Sequence, residues 1–260
     1  MTEGIKFSLR LPEDRSIVIS GPDRSSVPNY LFWRGYDGYE PDTMDVFLAL
    51  IKDKEVFFDV GAHMGYYSLV AGCYNPKCEI YAFEPVEELY EQLRENIFLN
   101  RYSNITTVNC AATDSNGDIT LYSSTEGDSS WSIVSGFRRS LGVRIVKGIS
   151  LDSFAEENCI KAVDMIKLDV ESAEPLVLKG MKRILKNDRP DIICEVLYGC
   201  TETDLMDLLA DYDYSFYWLS PKGPIRKEYI VGDPNYRFQN YLFTPNKLPA
   251  MARKRKVISS

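Results

Sequence analysis

Short apolar runs alternate with segments of helical spacing from Glu55 onward. The apolar runs predict strands near residues 55–60, 78–83, 105–111, 163–168 and 190–196, and the helical spacing predicts helices near 65–74, 86–99 and 173–186. Nearly continuous apolar strands that alternate with helices are typical of a parallel sheet covered on both faces. Two late aromatic runs, near 214–219 and 238–243, are expected to pair antiparallel at the sheet edge. The pattern therefore predicts an α/β fold.

Two further regions lie outside this alternation. Residues 6–20 alternate apolar and polar positions around a Pro-Glu-Asp turn, which predicts a β-hairpin, and a short helix is expected at about 42–52. A long connection, about 114–150, separates the third and fourth core strands. Long connections on the ligand side of an α/β sheet are where substrate loops tend to lie. Within it we expect a hairpin from Asp118 to Ser123 and a polar stretch around Glu126, Ser129, Ser130 and Trp131.

Composition narrows the class of protein. The 260 residues fit one large α/β domain, and the net charge of −8 argues against a general nucleic-acid binder. No apolar run approaches the roughly 18 residues that cross a membrane. The N-terminus lacks the apolar core of a signal peptide, and the six cysteines form no C-x-x-C pair. We therefore expect a cytoplasmic protein with reduced thiols, no membrane span and no nucleic-acid partner.

The segment EVFFDVGAHMGYYSLVAG, residues 55–72, carries the strongest signal. An apolar strand ends in Asp59, Gly61 and Gly65 flank a turn, and a helical pattern follows. Such a strand–turn–helix unit lets backbone approach a nucleotide-like ligand at a helix N-terminus. Ser68 stands where the dinucleotide fingerprint would need its third glycine. With Asp59 before the turn, the loop suits the cationic amino-acid end of a ligand better than a pyrophosphate.

A second signal is Glu84, which ends the next strand 23 residues after Gly61 and precedes Pro85. A carboxylate at this spacing is placed to bind both hydroxyls of a ribose. Taken alone, a Glu-Pro pair only marks a helix start, with proline at its first position. Behind the glycine turn, the ribose-binding interpretation is favoured.

A third signal is KLDVESAE, residues 167–174, where the fourth core strand runs into a helix. It sets Asp169, Glu171 and Glu174 near the carboxyl edge of the sheet, where open α/β sheets bind ligands. The alternative is that these acids only interact with the helix dipole, which fits Glu174 and Glu171 better than Asp169.

Together, DVGAHMGYYS, FEP, SLDSF, KLDVESAE and PDIICEV resemble the FkbM family of S-adenosylmethionine-dependent methyltransferases. The resemblance spans about 55–200 and implies a seven-stranded Rossmann-like sheet and methyl transfer, usually to a hydroxyl oxygen of a sugar or natural product. We further expect three parts: an N-terminal hairpin and helical extension (1–52), a Rossmann-like methyltransferase domain (53–247) and a basic flexible tail (248–260).

The resemblance carries cofactor roles to individual positions. It places the methionine end of the cofactor beside the glycine turn, the ribose at Glu84, the adenine after the third core strand with Asp114 nearby, and the sulfonium beside Asp169. The implied cofactor-binding residues are Asp59, Gly61, Ala62, Gly65, Glu84, Pro85, Ala111, Ala112 and Asp169. The family pattern has Gly where this chain has Ser172. Either Ser172 adopts a positive φ at a cost of roughly 1 kcal/mol, or it serves as an ordinary helix N-cap.

Methyl transfer to oxygen needs alignment and removal of the hydroxyl proton. The candidate catalytic residues are Asp169, Glu171, His63 and Glu195, with Glu174 as a further acid. Asp169 or Glu171 is preferred as the base. His63, whose intrinsic pKa suits base work, has the alternative of shaping the turn. A divalent ion between Asp169 and Glu195 is an alternative, but we predict no metal.

Two other classes of protein compete with this reading. A nicotinamide-dependent (NAD-type) oxidoreductase also uses a glycine turn and a later acid, but the absent third glycine and the KLDVESAE segment count against it. A non-catalytic binding module that keeps the fold is the other; the acidic cluster argues against it. The expected partner is a small-molecule or carbohydrate hydroxyl acceptor, and aromatic residues in 30–39 and Trp131 are candidates for stacking on it. A homodimer is left open.

Overall fold

The computed structural model describes residues 5–21, 26–123, 131–134, 142–246 and 248. The strands are β1 (Ile5–Leu11), β2 (Arg15–Gly21), β3 (Val56–Val60), β4 (Glu79–Phe83), β5 (Ile105–Val108), β6 (Ala111–Ala112), β7 (Gly117–Ser123), β8 (Trp131–Ser132), β9 (Gly142–Ile149), β10 (Met165–Leu168), β11 (Asp191–Glu195), β12 (Ser215–Ser220), β13 (Gly223–Lys227) and β14 (Asn240–Thr244). The α-helices are α1 (Ser26–Arg34), α2 (Pro41–Ile51), α3 (Tyr66–Tyr74), α4 (Glu87–Asn100), α5 (Leu151–Glu157), α6 (Glu174–Lys179) and α7 (Glu202–Leu209). A 3-10 helix (Gly35–Gly38) follows α1, and a π-helical turn (Ile184–Asp188) precedes β11.

The main sheet confirms the predicted α/β architecture. Its order is β13-β12-β14-β11-β10-β3-β4-β5, with β11, β10, β3, β4 and β5 parallel and the late strands antiparallel. In the described ranges this sheet has eight strands, so the expectation of seven was wrong. The additional strand is β13, which pairs with β12 across a tight turn that closes at Ser220 and Gly223. Gly223 adopts φ +92°, a conformation that glycine adopts without strain.

Alternation along the buried strands divides the core into two layers. Phe57 and Met165 face one side of the sheet, against α2, α3, α4 and the β1–β2 hairpin. Phe58 and Ile166, the next residue along each strand, face the opposite side, against α5, α6 and α7. Because both faces are covered, the strands carry no polar alternation. Among the described residues, no helix is both long and apolar enough to cross a membrane.

The predicted N-terminal hairpin is confirmed, and amides of α4 dock it onto the domain. Asn100 accepts from the Val18 backbone N–H at 2.8 Å and donates to the Val18 carbonyl at 2.7 Å. Asn96 accepts from the Ser20 N–H at 2.7 Å, and Gln92 donates to the Ser20 carbonyl at 2.7 Å. These side chains form the hydrogen bonds with the backbone of β2 that a neighbouring strand would otherwise form. The outer edge of β2 is therefore not open for pairing at Val18 and Ser20.

The long connection folds as a second sheet, in the order β6-β9-β7-β8. Residues 118–123 were expected to form a hairpin, but they are a single strand, β7, which pairs antiparallel with both β8 and β9. The central residues of β7, Ile119 to Tyr122, favour a strand, and no turn residue interrupts them. Glu126, Ser129 and Ser130 of the expected polar stretch lie outside the described residues, as does the basic tail after Leu248.

Two predicted elements end earlier than expected. The third core strand stops at Val108, and Ala111–Ala112 cross to the second sheet as β6. The helix expected over 173–186 breaks at Gly180, because the backbone of Thr113 lies against it: a Cβ at Gly180 would stand 2.0 Å from the Thr113 carbonyl oxygen. Only glycine allows this approach.

Candidate active site

A cleft opens where the strand order reverses, between β3 and β10 at the carboxyl edge of the sheet. In the order of the sheet, β3, β4 and β5 lie on one side of this point, and β10 and β11 lie on the other. The backbones at the ends of β3 and β10 approach each other closely at Gly61. A Cβ at this position would lie 1.8 Å from the Asp169 carbonyl oxygen. The open cleft contains about 1180 Å³ of empty space. Such switch points are where doubly wound sheets bind ligands.

Asp59 lies in the floor of this cleft and fixes the start of α3. Its Oδ2 accepts from the Ser68 backbone N–H at 3.0 Å and from the Ser68 hydroxyl at 2.6 Å. Ser68, which stands in place of the third fingerprint glycine, therefore holds the acid in position. Burial raises the pKa of Asp59 to about 6, against the opposing effect of the Ser68 hydrogen bonds. A cationic ligand group beside Asp59 would lower that pKa and stabilise the charge.

The two glycines of the turn have different roles. Gly61, with φ +81°, lines the cleft and lets the chain pass Asp169. Gly65, with φ +89°, was expected to contact the cofactor, but it does not line the cleft. Its N–H donates to the Ala62 carbonyl at 2.8 Å, and a Cβ there would stand 2.4 Å from Leu93 Cδ1. Gly65 therefore serves the packing of α3 against α4, while its neighbour Ala62 does line the cleft.

Glu84 ends β4 and ties it to the glycine turn. One carboxylate oxygen accepts from the His63 backbone N–H at 2.8 Å, and the other accepts from the Val86 N–H at 2.9 Å. The side chain is 4% exposed, and burial raises its pKa to about 7 although both hydrogen bonds act in the opposite direction. Each oxygen keeps a further lone pair, so the fixed carboxylate can still accept hydrogen bonds from two hydroxyl groups.

His63 adopts φ +52° in the turn and lines the cleft. Both ring nitrogens are buried, and neither has a hydrogen-bond partner among the described residues. Burial lowers the pKa of His63 to about 4, so the ring is neutral at pH 7. Buried polar atoms without partners are costly, so these nitrogens point to a ligand that supplies the partner.

Asp169 ends β10 and lines the cleft with a side chain that is 24% exposed. Its Oδ2 lies 3.0 Å from Nζ of Lys167, whose side chain is 1% exposed. Burial alone would lower the pKa of Lys167, but the carboxylates of Asp169 and Glu40 outweigh it and raise that pKa. No role was predicted for Lys167. The signal was a lone lysine at an inward position of an otherwise apolar strand, which requires a buried counter-charge.

The turn after Asp169 is strained. Glu171 and Ser172 adopt φ +53° and +73°, and the helix cap is Ala173, so the alternative of Ser172 as an N-cap was wrong. The Ser172 hydroxyl is buried with no partner among the described residues. The chain thus uses serine where glycine would fit without strain. Glu171 lines the cleft, with its position fixed by this turn.

The remaining acids stand behind the cleft and do not line it. Glu174 is fully buried and accepts from the Val170 N–H at 3.1 Å, and burial raises its pKa to about 8. Glu195, at the end of β11, has a buried Oε2 without a described partner. Burial, together with the charge of Asp169, raises the pKa of Glu195 well above its usual range. Of the candidate bases, Asp169, Glu171 and His63 therefore line the cleft, and Glu195 does not.

Most of the positions that the resemblance places near the adenine lie together along one part of the cleft. Pro85, Ala111 and Ala112 line the cleft beside Cys110, whereas Asp114 does not. Asp114 sits in an exposed turn, where its carboxylate contacts the hydroxyls of Thr113 and Ser115.

The N-terminal extension also reaches the site. Tyr39 lines the cleft, and burial together with the charge of Glu40 raises its pKa well above the usual range. Glu40 joins three elements: it accepts from the Tyr67 hydroxyl at 2.6 Å and from the Asn240 amide at 2.8 Å. The sequence did not predict this role of Glu40. No motif around it indicates a hydrogen bond to residues that lie 27 and 200 positions further along the chain.

These residues fit S-adenosylmethionine. With the cofactor bound, Asp59 would face the amino group of the methionine part and Glu84 would accept hydrogen bonds from the ribose hydroxyls. Gly61 and His63 line the cleft between them, and the two ring nitrogens of His63 have no hydrogen-bond partner among the described residues. Within the described ranges, no group of three or more His, Cys, Asp or Glu residues is arranged to hold a metal ion.

The doubly wound sheet, with a cleft at its switch point, is the fold of the Rossmann-like class I methyltransferases. The chain belongs to the FkbM family: residues 59–216 match the family model described as "Methyltransferase FkbM domain". The methyl donor of this family is S-adenosylmethionine, so the resemblance, the fold and the cofactor inferred from sequence are confirmed. Family membership also decides against the oxidoreductase alternative.

Individual relatives are distant. The chain is 27% identical over 172 residues to "Hexuronic acid methyltransferase AglP" of Haloferax volcanii, covering 66% of this chain and 68% of that protein. It is similar to the solved "Methyltransferase FkbM from Methylobacillus flagellatus KT" at 19% identity and a TM-score of 0.49, covering 74% of this chain but only 44% of that one. It also matches Aeropyrum pernix fibrillarin, solved with natively bound S-adenosyl-L-methionine, at 13% identity and a TM-score of 0.47, covering 94% of this chain and all of that one.

Proposed function

We propose that this protein transfers the methyl group of S-adenosylmethionine to a hydroxyl oxygen of a sugar, a glycan or a natural product. The observation that carries the proposal is the position of Asp169. Its partly exposed carboxylate opens into the same cleft as Asp59 and Glu84, on the opposite side of the switch point. An acceptor that enters the cleft beside the cofactor therefore meets a fixed carboxylate.

When bound, S-adenosylmethionine supplies a methyl carbon on a positively charged sulfur, so a carbon–oxygen bond forms as the carbon–sulfur bond breaks and the hydroxyl proton leaves. The protein's own contribution is orientation and proton acceptance. Asp59 and Glu84 hold the donor by its two ends. Asp169, held by Lys167 at 3.0 Å, presents an oxygen to the acceptor hydroxyl. Alignment of this kind supplies much of the rate in such reactions.

Asp169 is our first choice for the base, with Glu171 as the neighbouring alternative. Both line the cleft, whereas Glu174 and Glu195 stand behind it. His63 is a weaker choice, because burial lowers its pKa to about 4 and an imidazole that weakly basic holds a proton poorly at pH 7. We assign His63 to hydrogen bonding with the bound ligands.

A carbohydrate acceptor is favoured by the aromatic walls of the cleft. Tyr39, Tyr66 and Tyr67 all line it. Aromatic faces with polar tips suit sugar rings, which present apolar faces and polar edges. The Haloferax volcanii relative is named for a hexuronic acid acceptor, which points to the same chemical class.

The test is methyl transfer from isotopically labelled S-adenosylmethionine to libraries of glycans and small hydroxyl compounds, read by mass spectrometry. We expect label in a carbohydrate or polyol product, with magnetic resonance showing the methyl carbon bonded to oxygen. Asp169→Asn serves as the inactive control, and Glu79→Gln, an exposed acid at the start of β4, as the active one. A product methylated on nitrogen or carbon would contradict the proposal.

A further inference from the structure

We propose that Trp131 covers the nucleoside end of bound S-adenosylmethionine, and that Arg144 is a positioning residue that holds the indole there. The inference depends on the methyl donor occupying the cleft and not on which acceptor is methylated. It concerns the second sheet, β6-β9-β7-β8, of which only Ala111 and Ala112 on β6 have so far been given a cofactor role.

The second sheet contributes Trp131 to the wall of the cleft, together with the two alanines expected near the adenine. Its first strand, β6, supplies Ala111 and Ala112 to the cleft wall, and its last strand, β8, begins with Trp131. Leu121 on β7 lines the cleft between them. The indole therefore belongs to the same continuous surface as the two alanines.

Arg144 on β9 fixes the indole from one side. Its guanidinium carbon lies 4.7 Å from the centre of the Trp131 ring. The same guanidinium forms a bidentate pair with Glu88, in which one of the two hydrogen bonds measures 2.8 Å. Glu88 lies in the first turn of α4, four residues after Glu84. Arg144 thus connects Trp131 to the helix that follows the ribose-binding acid.

A second contact holds β8 at the opposite side of the cleft. The hydroxyl of Ser132 donates to the Glu171 carbonyl at 2.6 Å and accepts from the Val134 N–H at 3.1 Å. Ser132 is 5% exposed, so this contact is buried. Strand β8 is therefore fastened to the cleft at both ends, and the orientation of Trp131 is fixed before a ligand binds.

A fixed indole with a cation on one face offers its other side to a flat partner. The guanidinium is planar, remains charged and can stack on the ring while it pairs with a carboxylate, which lysine cannot reproduce. Adenine suits the open face, because aromatic–base stacking is favourable for any base. The pairing of Arg144 with Glu88, on the helix that follows Glu84, favours the nucleoside over the acceptor as the occupant.

Binding of S-adenosylhomocysteine, measured by titration calorimetry on the full chain, tests the inference. We expect Trp131→Ala to weaken affinity about fivefold or more. Arg144→Ala and Arg144→Lys should each weaken it by about two- to fivefold. Lys147→Ala is the matched control: it removes one positive charge from β9, the strand that carries Arg144, together with one exposed ion pair to Asp118. That variant should bind like the wild type.

Tryptophan fluorescence separates a direct contact from a general loss of structure. The chain has three tryptophans. Trp33→Phe and Trp218→Phe should keep the fluorescence change that S-adenosylhomocysteine produces, whereas Trp131→Phe should abolish it. Wild-type affinity in both Trp131→Ala and Arg144→Ala would overturn the inference, as would a fluorescence change that survives in Trp131→Phe. Normal cofactor binding in the wild type without methylation of any hydroxyl would instead contradict only the proposed function.

Discussion

The Glu84 carboxylate accepts a hydrogen bond from the backbone N–H of His63 at 2.8 Å, so the acid that ends β4 also shapes the glycine turn that follows β3. Two parts of the cofactor cleft are thereby set by one side chain. The backbone N–H groups of Gly61 and Ala62 donate to the Phe83 carbonyl at 3.0 and 2.9 Å, which fastens the same turn a second time. The cleft is formed before ligand arrives, and its two acids are already oriented.

Glu84→Ala should reduce the affinity for S-adenosylhomocysteine by at least about 100-fold. The reason is the loss of two charge-assisted hydrogen bonds, each of about 1.5–3 kcal/mol. Asp59→Ala should have a comparable effect at the methionine end. Calorimetry measures both, and Glu79→Ala on the exposed start of β4 is the control. Wild-type affinity in both cleft variants would remove the assignment.

Cofactor affinity should fall as the pH is lowered below about 7. Burial raises the pKa of Glu84 to about 7 and that of Asp59 to about 6. Ligand groups that donate to these carboxylates require the ionised forms, so affinity should drop by up to about tenfold per pH unit below 7, and more steeply below 6. Titration calorimetry across this range gives the profile. Glu84→Gln should remove the part of the profile that begins near pH 7.

The same two pKa values predict the opposite trend for the stability of the ligand-free protein. An acid whose folded-state pKa is raised contributes stability that is fully present below its unfolded-state pKa and is lost as the pH rises through the folded-state value. For Asp59 and Glu84 that window extends from about pH 4 to 7. Thermal melting should therefore show a larger stabilisation by S-adenosylhomocysteine at pH 8 than at pH 5.5. An equal shift at both values would contradict this coupling.

Asp169→Asn should spare cofactor binding to within a few-fold and reduce turnover by about 10²- to 10⁴-fold, the usual contribution of a general base. Asparagine keeps the shape of the side chain and a carbonyl oxygen for Lys167, so the fold should survive. Glu171→Gln distinguishes the neighbouring acid. Retained turnover in Asp169→Asn together with its loss in Glu171→Gln would transfer the role of base to Glu171.

Ser172→Gly should stabilise the protein by about 1 kcal/mol, because serine is held at φ +73° with a buried, unpartnered hydroxyl. Denaturant unfolding gives the free-energy difference. Ser115→Gly, in an exposed turn at a residue without positive φ, is the control and should be neutral or destabilising. A loss of stability in Ser172→Gly would mean that the serine makes a compensating contact.

The sequence predicts the parts of this protein that depend on local pattern. The β3 turn, Glu84 and the β10 end follow from apolar runs that finish in an acid or a glycine, and the structure brings all three to one cleft. Glu40 escapes prediction because its partners are distant in sequence, and Lys167 because its burial depends on Glu40 as well as on the nearby Asp169. Burial of Lys167 depends on Asp169 and Glu40 meeting it in space, and Glu40 meets Tyr67 and Asn240 only after folding.

Gly65 and Ser172 show why a motif position does not reveal its role. Both occupy positive φ, as their places in the two motifs suggest. For Gly65, the neighbour that excludes a Cβ is Leu93 and not a ligand, a fact that only packing reveals. The second sheet was missed as a sheet for a related reason, since β7 pairs with both β8 and β9, and the pattern within residues 118–123 does not reveal which later segments pair with it.

A crystal structure of the complex with S-adenosylhomocysteine tests the central assignment most directly. The account predicts both ribose hydroxyls within hydrogen-bond distance of Glu84 and the amino group within reach of Asp59, with the sulfur on the side of Asp169. A ligand bound away from the β3–β10 switch point, or a complex in which Glu84 and Asp59 contact only protein atoms, would contradict it.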